Sequence, residues 1–148
     1  MTDGIRVETF VRASAQAAFD CFVVPQRLTA FWLSSASAPL AAGARVRWEF
    51  LVPGATDEVE VTTFEPARRL AVRSSDGSTI VWTFDPRNVA GVGGTVVTVE
   101  QTNMPGAEKE RLETAEGFAY VLADMKTLLE QGKAAGIVRD KAALLSAK

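Results

Sequence analysis

ETAEGFAYVLADMKTLLEQG, residues 113–132, has the apolar spacing of an amphipathic helix. At about 100° per residue, Thr114, Ala115, Phe118, Val121, Leu122, Met125 and Leu129 share one face, and Tyr120 and Asp124 fall away from it. Glu108, Glu110, Glu113 and Glu116 crowd the start, where the helix dipole favours negative charge, and Gly132 is a natural stop. Gly117 breaks the pattern, because an interior glycine costs about 1 kcal/mol relative to alanine. The expectation is a close approach: the helix passes near the sheet or a small helix at Gly117, seats Phe118, and is destabilised by Gly117→Ala.

Such a helix needs an apolar partner, and the preceding chain supplies strands. Residues 5–12 alternate Ile5, Val7, Thr9 and Val11 against Arg6, Glu8 and Arg12. Ser14 then reads as the N-cap of a short helix carrying Ala18, Phe19 and Phe22, and Pro25 opens a second, PQRLTAFW. The small-residue stretch SSASAPLAAGA reads as a loop. Five strands follow. They are marked by Val46, Trp48 and Phe50; by Val59 and Val61; by Leu70 and Val72; by Ile80, Trp82 and Phe84; and by Val97 and Val99. Turn signals between them imply antiparallel hairpins, and PRNVAGVGG reads as a hairpin loop rather than a phosphate cradle. A twisted antiparallel sheet of about six strands with one long helix across it buries every apolar face, so the fold class is α+β. The expected organisation is one domain over 1–132 and a tail over 133–148, with a short helix around 139–147.

Composition narrows the function. The chain has 148 residues, 47% apolar and 23% charged, with a net charge of −2. No basic stripe stands out, so nucleic acid is not an expected partner; Arg45/Arg47 and Arg68/Arg69 read as solvated strand faces. There is no histidine, which excludes Ser-His-Asp and Cys-His catalysis and removes the commonest metal ligand. The single cysteine, Cys21, reads as a buried structural thiol. No metal or cofactor is implied. Neither a signal-like N-terminus nor a span of apolar residues points to a membrane, and the expected location is the cytoplasm.

Particular residues sharpen the fold. FVRASAQAAFDCFVVPQRLTAFW resembles the opening of the SRPBCC, or START-like (Bet v 1-like), superfamily, in the branch related to the activator of the heat-shock-protein-90 ATPase. Ala13, Phe19, Pro25, Leu28, Phe31 and Trp32 fall on matching positions, while Val24 stands where an Asp is usual and weakens one loop contact. PLAAGARVRWEF, FEPARRL, TIVWTFDP, GGTVVTVEQTN and EGFAYVLADMKTLLEQG resemble the later strands and the C-terminal helix, with Gly117-Phe118 where relatives often carry Gly-Trp. The resemblance covers roughly residues 5–132. It implies a helix-grip fold: a curved sheet wrapped around a long C-terminal helix, two short helices after the first strand, and an enclosed cavity.

With that fold, the inward residues become candidate cavity lining: Trp32, Trp48, Phe50, Val59, Val61, Trp82, Phe84, Val99, Gln101, Phe118, Val121, Leu122 and Met125. The expected function is binding of a small hydrophobic or aromatic molecule, with no catalytic residue assigned. By alternation Gln101 and Asn103 are expected to point inward, with Gln101 read as satisfying backbone groups; Arg111 lies on the Phe118 face and is read as reaching solvent or pairing with a glutamate. The alternatives are a polyketide cyclase/aromatase-like enzyme, which needs an inward acid or base, and a chaperone ATPase-activator-like interaction module. Tyr120, on the outer face, counts against the first. A homodimer is compatible with the sequence, with the segment after Gly132 available to contribute.

Overall fold

A computed structural model describes residues 4–147. In chain order the elements are β1 (Ile5–Val11), α1 (Ala15–Cys21), α2 (Pro25–Phe31), β2 (Leu33–Ala36), β3 (Arg45–Phe50), β4 (Thr56–Glu65), β5 (Arg69–Arg73), β6 (Thr79–Val89), β7 (Val92–Thr102), α3 (Glu108–Gln131) and α4 (Ile137–Ser146). The strands form one antiparallel sheet in the order β1-β7-β6-β5-β4-β3-β2. It is a meander from β2 to β7 closed by β1 on the β7 edge, and its concave face holds α3. This is the helix-grip fold.

Local chemistry explains the short elements. Ser14 Oγ accepts from the Ala17 N–H at 3.1 Å and caps α1, while Pro25 occupies the first turn of α2. Register shifts between Val61 and Thr63, and between Leu33 and Ser35, bend the strands around the helix. The convex face is charged, with Glu60 3.8 Å from both Arg45 and Arg73 across β3, β4 and β5. Such exposed pairs contribute little to stability.

Two stretches read as loops are strand. Leu33–Ala36 is a seventh, edge strand: Leu33 is buried, and Ser34 Oγ donates to the Glu49 and Phe50 carbonyls at 3.1 Å. Its three small residues carry no alternation to reveal it. Residues 86–89 and 92–94 extend β6 and β7 to a two-residue turn at Ala90-Gly91, where both φ angles are positive (52° and 82°). That is a type I′ geometry, and alanine in place of the usual Asn or Asp hides it in the sequence.

The grip is fixed at its far end by polar contacts. Lys126 Nζ donates to the Phe10 carbonyl and to Glu130, both at 2.7 Å, and the Arg12 N–H donates to Glu130 at 2.8 Å. Burial would raise the Glu130 carboxyl; the hydrogen bonds from Lys126 and Arg12 outweigh it and hold the group below its usual value. A lowered carboxyl stabilises the fold above its ordinary titration range, and that contribution disappears as pH falls through the lowered value.

Asp124 corrects the reading of α3 as one-faced. It is fully buried, and its carboxylate accepts from the backbone N–H groups of Gly136 (3.1 Å), Ile137 (3.1 Å) and Val138 (2.8 Å). It therefore caps α4 from a neighbouring helix, supplying acceptors and negative charge where α4 has unpaired donors. Asp124→Ala strands those buried donors and should destabilise the protein by about 2–4 kcal/mol. Denaturant unfolding reads the loss, and hydrogen exchange should show residues 137–146 exchanging first.

Candidate functional site

Where the C-terminal end of α2 meets the sheet and α3, six aromatic rings converge. The Trp32 ring lies 5.2 Å from that of Trp48, 5.8 Å from Phe118, 6.1 Å from Phe22 and Phe50, and 6.2 Å from Trp82. All five contacts are edge-on or tilted, the arrangement the ring quadrupole favours. Trp32 is placed by the last hydrogen bond of its helix, from its N–H to the Leu28 carbonyl.

Two openings flank this cluster. One, of about 340 Å³, lies between α3, α4 and the β3–β4 loop, and its wall includes Leu51, Val52, Ala55, Tyr120 and Ala142. The other, of about 350 Å³, lies between the sheet and α3, walled by Trp48, Phe118 and Val121 and, at its outer end, by Asp57, Ser74, Asp76 and Gln101. Trp32, Phe50, Gly117 and Val138 line both, so the openings are two arms of one groove. Each arm is within the range of small-molecule sites, about 300–1,000 Å³.

Gly117 sits at the junction, and the close-approach expectation is overturned there. A Cβ at Gly117 would meet nothing within 4 Å. Gly117, Tyr120, Asp124 and Thr127 form a second stripe on α3, facing α4. Thr127 Oγ1 accepts from the Ala135 N–H at 2.9 Å, and Glu116, at the same end as Gly117, pairs with Lys141 at 3.0 Å. Tyr120 is thus half-buried in the wall of the groove rather than on the solvent face. The hydrogen bond from Lys141 lowers the Glu116 carboxyl, and Glu116 in turn raises Lys141, so this corner supplies a charged pair rather than a base.

The expected lining residues divide into two sets. Trp32, Trp48, Phe50, Gln101, Phe118 and Val121 face the groove. Val59, Val61, Trp82, Phe84, Val99, Leu122 and Met125 are buried in the core behind it. Gln101 donates from Nε2 to Ser78 Oγ at 2.8 Å, a side-chain rather than a backbone partner. Asn103 is not inward. The strand ends at Thr102, and Asn103 turns out to solvent with φ 56°. Arg111 spends a guanidinium N–H on the Gly106 carbonyl at 3.3 Å. Cys21 is fully buried, which pushes its thiol up to about 12 against the weaker pull of Arg27. Sequence reading missed Asp57, although it is two residues before Val59 and so on the same strand face. Among the described residues no acidic, Cys or His group could hold a metal ion, and no helix is long and apolar enough to cross a membrane.

Two indole groups are unusual. Trp48 Nε1 and Trp82 Nε1 are buried and find no hydrogen-bond partner among the described residues. Each such donor costs about 1–3 kcal/mol if left dry. Trp82 is enclosed by the core, whereas Trp48 stands in the groove wall.

A curved sheet gripping a helix, with an aromatic groove at their junction, defines a helix-grip protein. The chain belongs to the family described as activator of Hsp90 ATPase homolog 1-like protein, whose family model matches residues 12–130. No curated protein matches the chain. Among solved structures it resembles protein SSP2350 from Staphylococcus saprophyticus (TM-score 0.78, 24% identity, 88% of this chain and 94% of that one). It also resembles the Aha1 protein of Colwellia psychrerythraea, solved in solution as a dimer (TM-score 0.77, 18% identity, 88% and 98%). A third likeness is CalU16 from Micromonospora echinospora (TM-score 0.69, 15% identity, 97% and 86%). At these identities the likeness is one of fold.

The open space at Gly117 reverses the sign expected of its replacement. Gly117→Ala adds a methyl group that meets no atom and removes the backbone freedom of glycine. It should stabilise the protein by about 0.5–1 kcal/mol. The melting temperature should rise by about 2–4 °C per kcal/mol gained.

Proposed function

We propose that the protein binds a small hydrophobic or aromatic molecule in the groove between the sheet, α3 and α4. The observation that carries this reading is Gly117. A helix interior with open space for a Cβ carries no side chain, at a position that lines both arms of the groove together with Trp32, Phe50 and Val138. Cores close such gaps when they can, because protein interiors pack to crystal density. The lining supports the same view, since it is mostly aromatic and aliphatic with a few polar groups at the ends, the composition of a ligand pocket.

Gly117→Leu separates pocket from fold. Leucine is a strong helix former and its side chain would project into the gap, so stability should hold while the groove closes. Binding of the neutral dye Nile red should weaken by at least about tenfold, or about 1.4 kcal/mol. Native mass spectrometry of the wild type before and after organic extraction should show a removable added mass that the Gly117→Leu protein lacks. Equal dye binding by the two proteins would defeat the reading.

A further inference from the structure

The concave face changes chemistry along its length. From β4 to β7, one polar side chain stands at the same end of each successive strand or its hairpin: Asp57, Ser74, Ser78 and Gln101. Register brings them into a row. Asp57 lies opposite Trp48, the Ser74 N–H donates to the Ser78 carbonyl at 2.8 Å, and Gln101 lies opposite Ile80, two residues from Ser78. Asp76, in the β5–β6 turn, completes the group.

The hydrogen bonds inside this row run towards the two carboxylates. Gln101 Nε2 donates to Ser78 Oγ (2.8 Å), and Ser78 Oγ donates to Asp76 Oδ1 (2.6 Å). The hydroxyls of Ser74 and Ser75 both donate to Asp57. The three serine protons are therefore committed, and what the row offers a newcomer is mainly acceptor oxygen and negative charge. No lysine or arginine lines this arm. The donors that remain are the second N–H of the Gln101 amide, since only one goes to Ser78, and, enclosed behind the wall, the unpartnered Trp48 indole N–H.

We propose that this end of the groove selects ligands whose head group donates hydrogen bonds, an alcohol, phenol or amine on an apolar ring body, and turns away carboxylates and phosphates. A donor head meets Asp57 or Asp76. An anionic head finds two like charges and no cation. The inference rests on the groove being a binding site, and it names the chemistry that site accepts.

A matched series tests it: naphthalene, 2-naphthalenemethanol, protonated 2-naphthylmethylamine and 2-naphthoate, titrated at low ionic strength. The readout is the indole N–H signals of Trp32, Trp48 and Trp82 in proton–nitrogen spectra. The alcohol and the ammonium should each bind at least about tenfold tighter than 2-naphthoate, with the Trp48 signal moving most. Asp76→Asn retains the oxygen that receives Ser78 and should narrow the gap between ammonium and carboxylate several-fold; Asp57→Asn is the second variant. Should either variant fail to fold, the wild-type ranking decides alone. Naphthoate binding as tightly as the alcohol, or a gap unchanged in both folded variants, overturns the inference. If naphthalene binds and the head makes no difference, the groove stands and the selectivity falls. If no member of the series binds, the groove reading falls with it.

Discussion

The structure turns on the Trp32 ring. It is set by the C-terminal end of a seven-residue helix and packs edge-on or tilted against rings from β3, β6, α3 and the residue after α1. Few side chains could link so many elements, because an indole has both the reach and the flat faces to meet several rings at once. It also sets a limit. Large rings meeting at steep angles leave corners that small side chains must fill, and here Gly117 leaves one unfilled. The aromatic cluster that ties α2, the sheet and α3 together is therefore also the wall of the groove.

The second constraint is electrostatic and lies further along the stripe of α3 that carries Gly117. A fully buried carboxylate is costly unless it is fully bonded. Asp124 meets that condition only with α4 in place, since its three partners are the first N–H groups of that helix. The dependence is mutual, because α4 has no side-chain cap of its own. Docking α4 in this way puts Val138, Lys141 and Ala142 across from Gly117 and Tyr120, and so builds the outer arm of the groove. The last helix is held at the site by that carboxylate, with Thr127 on the Ala135 N–H and Glu116 on Lys141 beside it.

Much of this was legible in the sequence. Ser14 and Pro25 mark helix starts by their own backbone chemistry. The alternations around Trp48, Trp82 and Val97 place their side chains on the buried face, because a strand has only two faces to choose from. What stayed hidden follows from the same rule. Asp57 occupies an inward position by simple alternation, but a charged residue there reads as the strand's end. Asp124 and Gly117 lie off the apolar stripe of α3, and a helix has more than two faces, so a partner on the second stripe leaves no hydrophobic signature when the contacts are a carboxylate, a glycine and a threonine. The hairpin between β6 and β7 was legible, but its tight turn at Ala90-Gly91 was not: the left-handed conformation of a non-glycine residue is imposed by the pairing of β6 with β7, not by the residue itself.

The helix-grip fold is compatible with a dry core, so an open groove needs a cause. Two features of this chain supply it. The helix that fills the sheet's concavity carries no side chain at the point where filling would be easiest. The polar residues Asp57, Ser74, Ser78 and Gln101 stand at one end of four consecutive strands or their hairpins, Ser78 buried behind the other three, and their hydrogen bonds run along the sheet without reaching across to α3. Had they bonded to the helix, the mouth would be sealed by its own network. Because they bond along the sheet, the helix side stays apolar, with Phe118 and Val121 facing the row. The resulting space is apolar on one wall and acceptor-rich on the other. Water is poorly held where one wall offers no partners, since it needs two to four polar contacts to settle. A molecule with one polar edge and one apolar face would match both walls.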